Sequence, residues 1–419
     1  MPVRTDSVLE TMSLGVFDEH PSTQWLDLIL AGLRSESPGE LEHRERTAFD
    51  RIASPFSNAL VLFGAGQLGR YVLEGLRASG VTPLAFADNN PLLWGSTVDG
   101  LEVISPTEAA VRYKETACFI VTVYHGAAVR NQLNELHCRR IAPIALLYWK
   151  YPDVFIPSCA FAMPHWILEQ ESNIRAGYAV LSDDASRREF CEQILWRFRP
   201  DPAVLSSHFA ERETYYPDDL VIPLDDEVFV DCGAFNGDSA RSFLVHRKNQ
   251  FGKIYAVEPD PGNQAALRLW ADSLDPSIGS RITALPYGVS DQDATLFFRI
   301  TNTAGSTLLT GETESSIECR KLDTLFADKE CPSYIKMDIE GAEPQAIAGG
   351  ADVLRSCQPV LAVCVYHRCE HMWQIPALIH SIFPGYHLFL RRYAEDCWEL
   401  VCYAVPSDRL NPATAGLPR

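Results

Sequence analysis

Twice in this chain an apolar run enters a glycine-rich turn and leaves as a segment with helical periodicity, and no other feature constrains the fold as much. The first is ALVLFG (59–64), which leads into Gly64, Gly66 and Gly69 and then QLGRYVLEGLRASG. The second is VFVDCGAFNGD (228–238), followed by SARSFLVHR. A strand that turns on glycine into a helix is the opening unit of a parallel, doubly wound sheet. Two such units in 419 residues, a length that favours more than one core, predict two α/β domains. Their boundaries are expected at 59–150 and 226–406, after an N-terminal helical segment (1–58) and before a short tail (407–419). The stretch 151–225, with WILEQE and ASRREFCEQILWRF, is rich in helix formers and predicts a helical connector. TQWLDLILAGLR predicts an amphipathic helix on the first domain.

Composition narrows the partners. A formal net charge of −19 repels phosphate backbones and anionic membranes, so a small-molecule or glycan acceptor is expected, with no nucleic acid and no membrane surface; homo-oligomerisation stays open. The apolar run from Pro359 to Tyr366 is far too short to span a bilayer, and MPVRTDSVLE has no secretory pattern, so a cytoplasmic location is the expectation. The twelve cysteines show no CxxC pair and are expected to be reduced thiols. Cys364, His367, Cys369 and His371 are soft ligands at close spacing. Cys364 ends an apolar run, however, the ordinary place for a small buried side chain, and no metal is assigned.

The two glycine turns suit different ligands. GAGQLG fits the dinucleotide fingerprint, in which backbone and helix N-terminus receive a pyrophosphate, and Asp88 ends the next strand-like run about 20 residues later, where a ribose-binding acid is expected. Gly64, Gly66, Gly69 and Asp88 are therefore candidates for a nucleotide or nucleotide-sugar site. The second turn carries Asp231 and Asp238, which disfavour a phosphate. S-adenosylmethionine (SAM) presents an ammonium, a sulfonium and a carboxylate, and suits such a turn better. The candidate cofactor residues are Asp231, Gly233, Ala234, Asn236, Gly237 and Asp238 in the turn. Glu258 and Pro259 follow the strand KIYAVE, with Glu258 placed to accept from ribose hydroxyls, and Tyr287 and Gly288 lie at the exit of ITALPYG.

Further runs supply a sheet edge. SYIKMD (333–338) delivers Asp338, Glu340 and Gly341, and PVLAVCVYH (359–367) delivers His367. HLFLRRY and WELVCYAV predict a closing hairpin, which makes seven strands with a terminal antiparallel pair, the arrangement of class I methyltransferases. The 290–325 connection contains TLFFRI and SIECRKL, which predict an added hairpin turning near Asn302–Ser306. Tyr215, Tyr216 and Pro217 precede the second fold; they either cover its mouth or pack a junction.

Taken in order, YYPDDLV, EVFVDCGAFNGDS, YAVEPDP, KLDTLF, YIKMDIEGAE, VYHRCEHMWQIP and PGY resemble the FkbM family of SAM-dependent methyltransferases over roughly Tyr215 to Pro406. The resemblance implies methylation of a hydroxyl, commonly on a sugar, glycan or polyketide-like natural product. It assigns SAM contacts to Asp231, Gly233, Ala234, Gly237, Glu258 and Pro259, and the family's KxDxEG segment to Lys336, Asp338, Glu340 and Gly341. The N-terminal GAGQLG domain lies outside it and looks like the nucleotide-sugar-binding modules attached to some carbohydrate-modifying enzymes. For removal of the acceptor proton, His367 is the first candidate base, followed by Asp338 and Glu340. The same carboxylates can cap the following helix instead, and can hold magnesium, although no spacing demands it. Two other classes compete: an NAD- or nucleotide-sugar-dependent enzyme built on GAGQLG, and a non-catalytic sensor of SAM or a nucleotide sugar.

Overall fold

A computed structural model describes residues 16–156, 160–200, 205, 214–299, 307–308, 316–395 and 397–415. The chain divides into two compact units. One comprises Met1–Glu171, Cys191–Phe209 and Ala394–Trp398; the other comprises Ser172–Phe190, Ala210–Tyr393 and Glu399–Arg419. Both units are therefore discontinuous in sequence, a feature that local periodicity does not encode.

The first unit holds six strands: β1 (Leu60–Phe63), β2 (Ala85–Ala87), β3 (Thr97–Val98), β4 (Leu101–Ile104), β5 (Cys118–Val121) and β6 (Ile141–Ala142), in the spatial order β3-β4-β2-β1-β5-β6. All pairs are parallel except β3 with β4. β1 is buried along its whole length, as expected of a central strand covered on both faces. At Gly69, on the helix Gln67–Ala78, a Cβ would lie 1.9 Å from the Gly64 carbonyl oxygen, so glycine is what lets this helix close onto the turn. Upstream, helix Ser22–Leu33 matches the expected amphipathic segment, and helix Pro38–Ala53 opens with a Ser37/Glu40 capping box.

The second unit begins its sheet with β7 (Val228–Cys232), β8 (Lys253–Val257) and β9 (Ile282–Leu285). An insertion contributes β10 (Gly288–Val289), β11 (Ala294–Arg299), β12 (Thr307–Leu308) and β13 (Ser316–Arg320), and the sheet resumes with β14 (Tyr334–Met337), β15 (Val360–Cys364), β16 (Tyr386–Arg392) and β17 (Leu400–Pro406). The order of the main sheet is β16-β17-β15-β14-β7-β8-β9; β17 runs antiparallel to both of its neighbours, and the other pairs are parallel. β7 and β14 are parallel neighbours at which the strand order reverses, β8 and β9 extending to one side and β15 to the other, so the carboxyl ends of these two strands flank the switch point where open α/β sheets place their ligands.

β11 and β13 pair antiparallel as the expected hairpin, but they belong to a separate four-stranded sheet, β10-β13-β11-β12. The turn expected at Asn302–Ser306 lies outside the described residues. Beneath the main sheet, Phe229 stacks on Phe243 with ring centroids 4.4 Å apart, and Tyr216, Tyr334 and Phe251 join the same core. The expectation of reduced thiols needs one correction. Cys331, just before β14, is disulfide-bonded to Cys357, at the end of helix Ala351–Cys357, across 5.7 Å between Cα atoms. They stand 26 residues apart in sequence, and only the fold brings them together. Among the described residues, no helix is long and apolar enough to cross a membrane.

Candidate active site

A cleft of about 490 Å³ opens at the carboxyl edge of β7, β8 and β14. Its floor is the turn after β7, where the Gly233 and Ala234 amides donate to the Val257 carbonyl (3.0 and 3.1 Å). Gly233 has φ +78°, and a Cβ there would lie 1.9 Å from the Asp338 carbonyl oxygen. Gly237, at φ +88°, starts the helix Asp238–His246. These two glycines draw the turn against neighbouring backbone and side chains, which a bulkier residue forbids.

On the cofactor side, Glu258 lines the cleft. Its Oε2 accepts from the Phe235 amide (2.8 Å) and its Oε1 from the Asp260 amide (2.9 Å) and Asn263 Nδ2 (3.4 Å), so the carboxylate is oriented by its neighbours and keeps acceptor capacity on Oε2. Burial raises its pKa above the ordinary value against the opposing backbone bonds. Its orientation is reinforced by Asp260, which caps helix Pro261–Asp272 through the Gly262 and Asn263 amides. Asp238, Pro259, Tyr287 and Gly288 also line the cleft.

Four predicted cofactor residues do not line the cleft: Gly237, which starts the helix, and Asp231, Ala234 and Asn236. Asp231 is fully buried beneath the turn, and its Oδ1 lies 3.0 Å from the Lys336 ammonium. Lys336 also donates to the Gly233 carbonyl (2.9 Å) and lies over the Tyr215 ring. Burial alone would depress the lysine, but Asp231 outweighs it and holds the ammonium charged. The turn therefore presents less negative charge than its sequence suggests, because its first aspartate is internally neutralised. Ala234 is buried, and Asn236 accepts from Arg241 (3.1 Å).

The opposite flank carries the acid–base cluster. Asp338 follows β14, and Glu340 sits in the left-handed region at φ +56°, ahead of Gly341 at +103°. Such backbone is uncommon for a non-glycine residue and is typical of functional turns. Both carboxylates line the cleft. His367, after β15, lies behind them with its side chain 7% exposed: Nε2 is 3.2 Å from Asp338 and 3.7 Å from Glu340, and Nδ1 is 2.8 Å from Glu343. Glu343, at the start of helix Glu343–Ala348, is fully buried and also faces His371 Nδ1 at 3.3 Å.

Burial would push His367 down, but Glu343 and Asp338 dominate and hold it well above its ordinary value, as an imidazolium. Asp338, despite burial, is brought down to about 2 by His367 and Lys336. Glu340 goes the other way. Burial, with Asp338 and Glu343 nearby, pushes it up to about 7 against the pull of His367. Of the three predicted bases, Glu340 is thus the one that faces the cleft and titrates near neutrality.

The cleft also takes in Tyr215 and several residues that had no sequence assignment. Tyr215 lines the cleft and donates to Asp338 Oδ2 (2.9 Å), its hydroxyl kept neutral by burial and by that carboxylate, whereas Tyr216 packs in the core and donates to the Ser239 carbonyl. Tyr215 therefore lies where the first reading of that aromatic pair expects it, and Tyr216 belongs to the core of the second unit. Tyr366, Phe235, Asn263 and Ile317 also line the cleft, Ile317 from the inserted sheet. Glu343 sits inside the quoted KMDIEGAE run, but only the fold shows that it meets His367. In the first unit, Gly64 (φ +114°), Gly66 and Asp88 meet at the end of β1, where Asp88 accepts from the Ala65 amide (2.8 Å) and the Asn90 amide (2.8 Å).

Residues 231–397 match the model of the Methyltransferase FkbM domain. This segment belongs to the FkbM family. The chain is 28% identical over 151 residues to the 2-O-methyltransferase NoeI of Sinorhizobium fredii (strain NBRC 101917 / NGR234), a match covering 31% of this chain and 59% of that protein, less than two thirds of its length. The crystal structure of Methyltransferase FkbM from Methylobacillus flagellatus KT superposes with a TM-score of 0.68 at 21% identity, over 92% of this chain and all of that one. At that identity the likeness concerns the fold, and it extends well beyond the FkbM domain. The FkbM match covers the turn, Glu258, Asp338, Glu340, Glu343 and His367, and leaves the GAGQLG unit outside.

Proposed function

We propose that this chain transfers a methyl group from SAM to a hydroxyl oxygen of a sugar, glycan or natural-product acceptor. One observation carries the reading: a single cleft is lined both by a backbone-oriented Glu258 and by Asp338 with Glu340. The fit to the cofactor rests on the tight Gly233 turn and on the spare acceptor capacity of Glu258. Glu258 would hold the ribose hydroxyls, and Asp238 with the Gly233 turn the methionine end. When bound, SAM supplies an electrophilic methyl on a sulfonium.

The chain's own residues must orient the acceptor and remove its proton, and orientation alone is worth several kcal/mol, roughly 7–11 in favourable intramolecular cases. Glu340 accepts the hydroxyl proton, because it faces the cleft and its affinity for a proton matches neutral pH. His367 acts through its neighbours: its charge holds Asp338 ionised and tempers the rise in Glu340. Tyr215 and Tyr366 wall the cleft and limit water. The name of the NoeI relative supports oxygen as the target, and the net charge of −19 favours a small acceptor over nucleic acid.

The test is incubation of the protein with metabolite and glycan fractions and isotope-labelled SAM, followed by mass spectrometry. Label in an O-methyl group of a discrete product is the expected result. Titration calorimetry that detects NAD but no SAM would overturn the reading in favour of a dinucleotide enzyme, and SAM binding without transfer to any fraction would favour a sensor.

A further inference from the structure

A second cavity, of about 590 Å³, lies wholly within the first unit at the carboxyl ends of β1, β5 and β6, where Leu68, Val121, Val123 and Pro143 line it. β1 is flanked by β2 on one side and β5 on the other, so this is that sheet's own switch point. Arg44, Arg51, Arg130 and Arg199 line the cavity, and among the described residues no aspartate or glutamate does. In a chain of net charge −19, four guanidinium groups gathered on one cavity favour an anion there. Glu36 orients Arg44 (2.9 Å) and Glu395 approaches Arg130 (3.5 Å), both from outside the lining.

The remaining wall is aromatic. Trp149, Trp196, Trp398 and Phe161 line it, and Trp149 is fixed by its Nε1 donating to the Ala162 carbonyl (3.0 Å). Fixed indole faces suit a planar ring, guanidinium forks suit phosphate oxygens, and the volume is that of a ligand-sized pocket. We propose that this cavity binds a nucleoside diphosphate, base against the tryptophans and phosphates toward the arginines. The site is displaced from the sequence reading, which named Gly64, Gly66, Gly69 and Asp88, none of which lines this cavity. The Asp88 carboxylate is engaged by the Asn90 amide of its own loop and the Ala65 amide of the glycine turn, while a Cβ at Gly66 would meet nothing within 4 Å, leaving the helix N-terminus open beside Leu68. The inference does not depend on the methyl-transfer reading, since none of its residues lines the methyltransferase cleft.

The experiment is titration calorimetry of the full chain with UDP and ADP, and with uridine and pyrophosphate as fragments. One or both diphosphates should bind at one site per chain, more tightly than either fragment. Arg51→Gln and Arg130→Gln should each weaken that binding about tenfold or more, the loss expected for a charge-assisted contact, with SAM affinity and thermal midpoint unchanged. Absence of binding by both diphosphates, a fragment that binds as tightly as the diphosphate, or unaltered affinity in both arginine variants would each overturn the proposal.

Discussion

Glu343 Oε1 lies 2.8 Å from His367 Nδ1, and this contact between a fully buried carboxylate and an imidazole organises the acid–base side of the cleft. It fixes which ring nitrogen faces Asp338, and it supplies much of the negative charge that keeps His367 protonated. Glu343 itself is held well below the usual carboxylate range, since its two histidine partners outweigh its burial.

Replacing Glu343 with Gln should therefore lower the pKa of His367 toward the free-imidazole value of about 6.5, which nitrogen NMR of the ring reads directly. Turnover should fall while SAM affinity, measured by calorimetry, stays within about threefold. A merely structural role for Glu343 would leave the imidazole titration of the folded variant unmoved. His367→Ala should likewise lower kcat more than it changes SAM binding. Equal activity in that variant would remove His367 from the mechanism.

The pH profile follows from Glu340. Its carboxyl is raised to about 7, so it is protonated and useless as a base at pH 5 and ionised at pH 8. Accordingly, kcat/KM should rise with pH, reach half its limit near pH 7, and level off above. Glu340→Gln should lose the rising limb together with about 10²–10⁴-fold in rate, the usual contribution of general base catalysis. An unchanged profile in that variant would remove Glu340 from the role of base.

The sequence was legible where local pattern and chemistry coincide. Both glycine turns, the strand-end positions of Glu258 and Asp338, and the β11–β13 hairpin follow from periodicity and turn residues alone. Relationships that depend on packing were not legible. Asp231 reads as a ligand because its turn is acidic, yet Lys336, two places before Asp338 on β14, points inward and cancels its charge. The sign of a pocket depends on such pairings, which a string of residues does not display. His367 was placed at the correct sheet edge, but whether it faces the cleft or sits behind two carboxylates depends on Glu343, which reads as an ordinary first-turn acid. The Cys331–Cys357 bond and the arginine-lined cavity of the first unit likewise join residues far apart in sequence, from segments with no motif of their own.

Cofactor affinity should depend on Glu258. Removing the carboxylate in Glu258→Ala deletes the acceptor proposed for two ribose hydroxyls and frees the Phe235 and Asp260 amides that it now engages. Loss of hydrogen bonds to a charged group costs about 1.5–3 kcal/mol each, so SAM binding should weaken by about two orders of magnitude. Calorimetry with adenosylhomocysteine tests this without turnover. Glu258→Gln, which keeps an acceptor oxygen, should fall between the two. Wild-type affinity in the alanine variant would place the ribose elsewhere.

The Asp231–Lys336 pair makes a separate prediction about stability. Both side chains are essentially buried, so removing one charge strands the other in a medium that cannot solvate it. Lys336→Met should cost about 3–5 kcal/mol, by the precedent of broken buried ion pairs, and should lower the unfolding midpoint in urea. Asp231→Asn added to Lys336→Met removes the stranded charge and should restore most of that loss, because a neutral polar side chain is far cheaper to bury than an unpaired carboxylate. If the double variant is no more stable than Lys336→Met, the lysine matters for its bond to the Gly233 carbonyl, and SAM affinity, which depends on that turn, should then stay low in both.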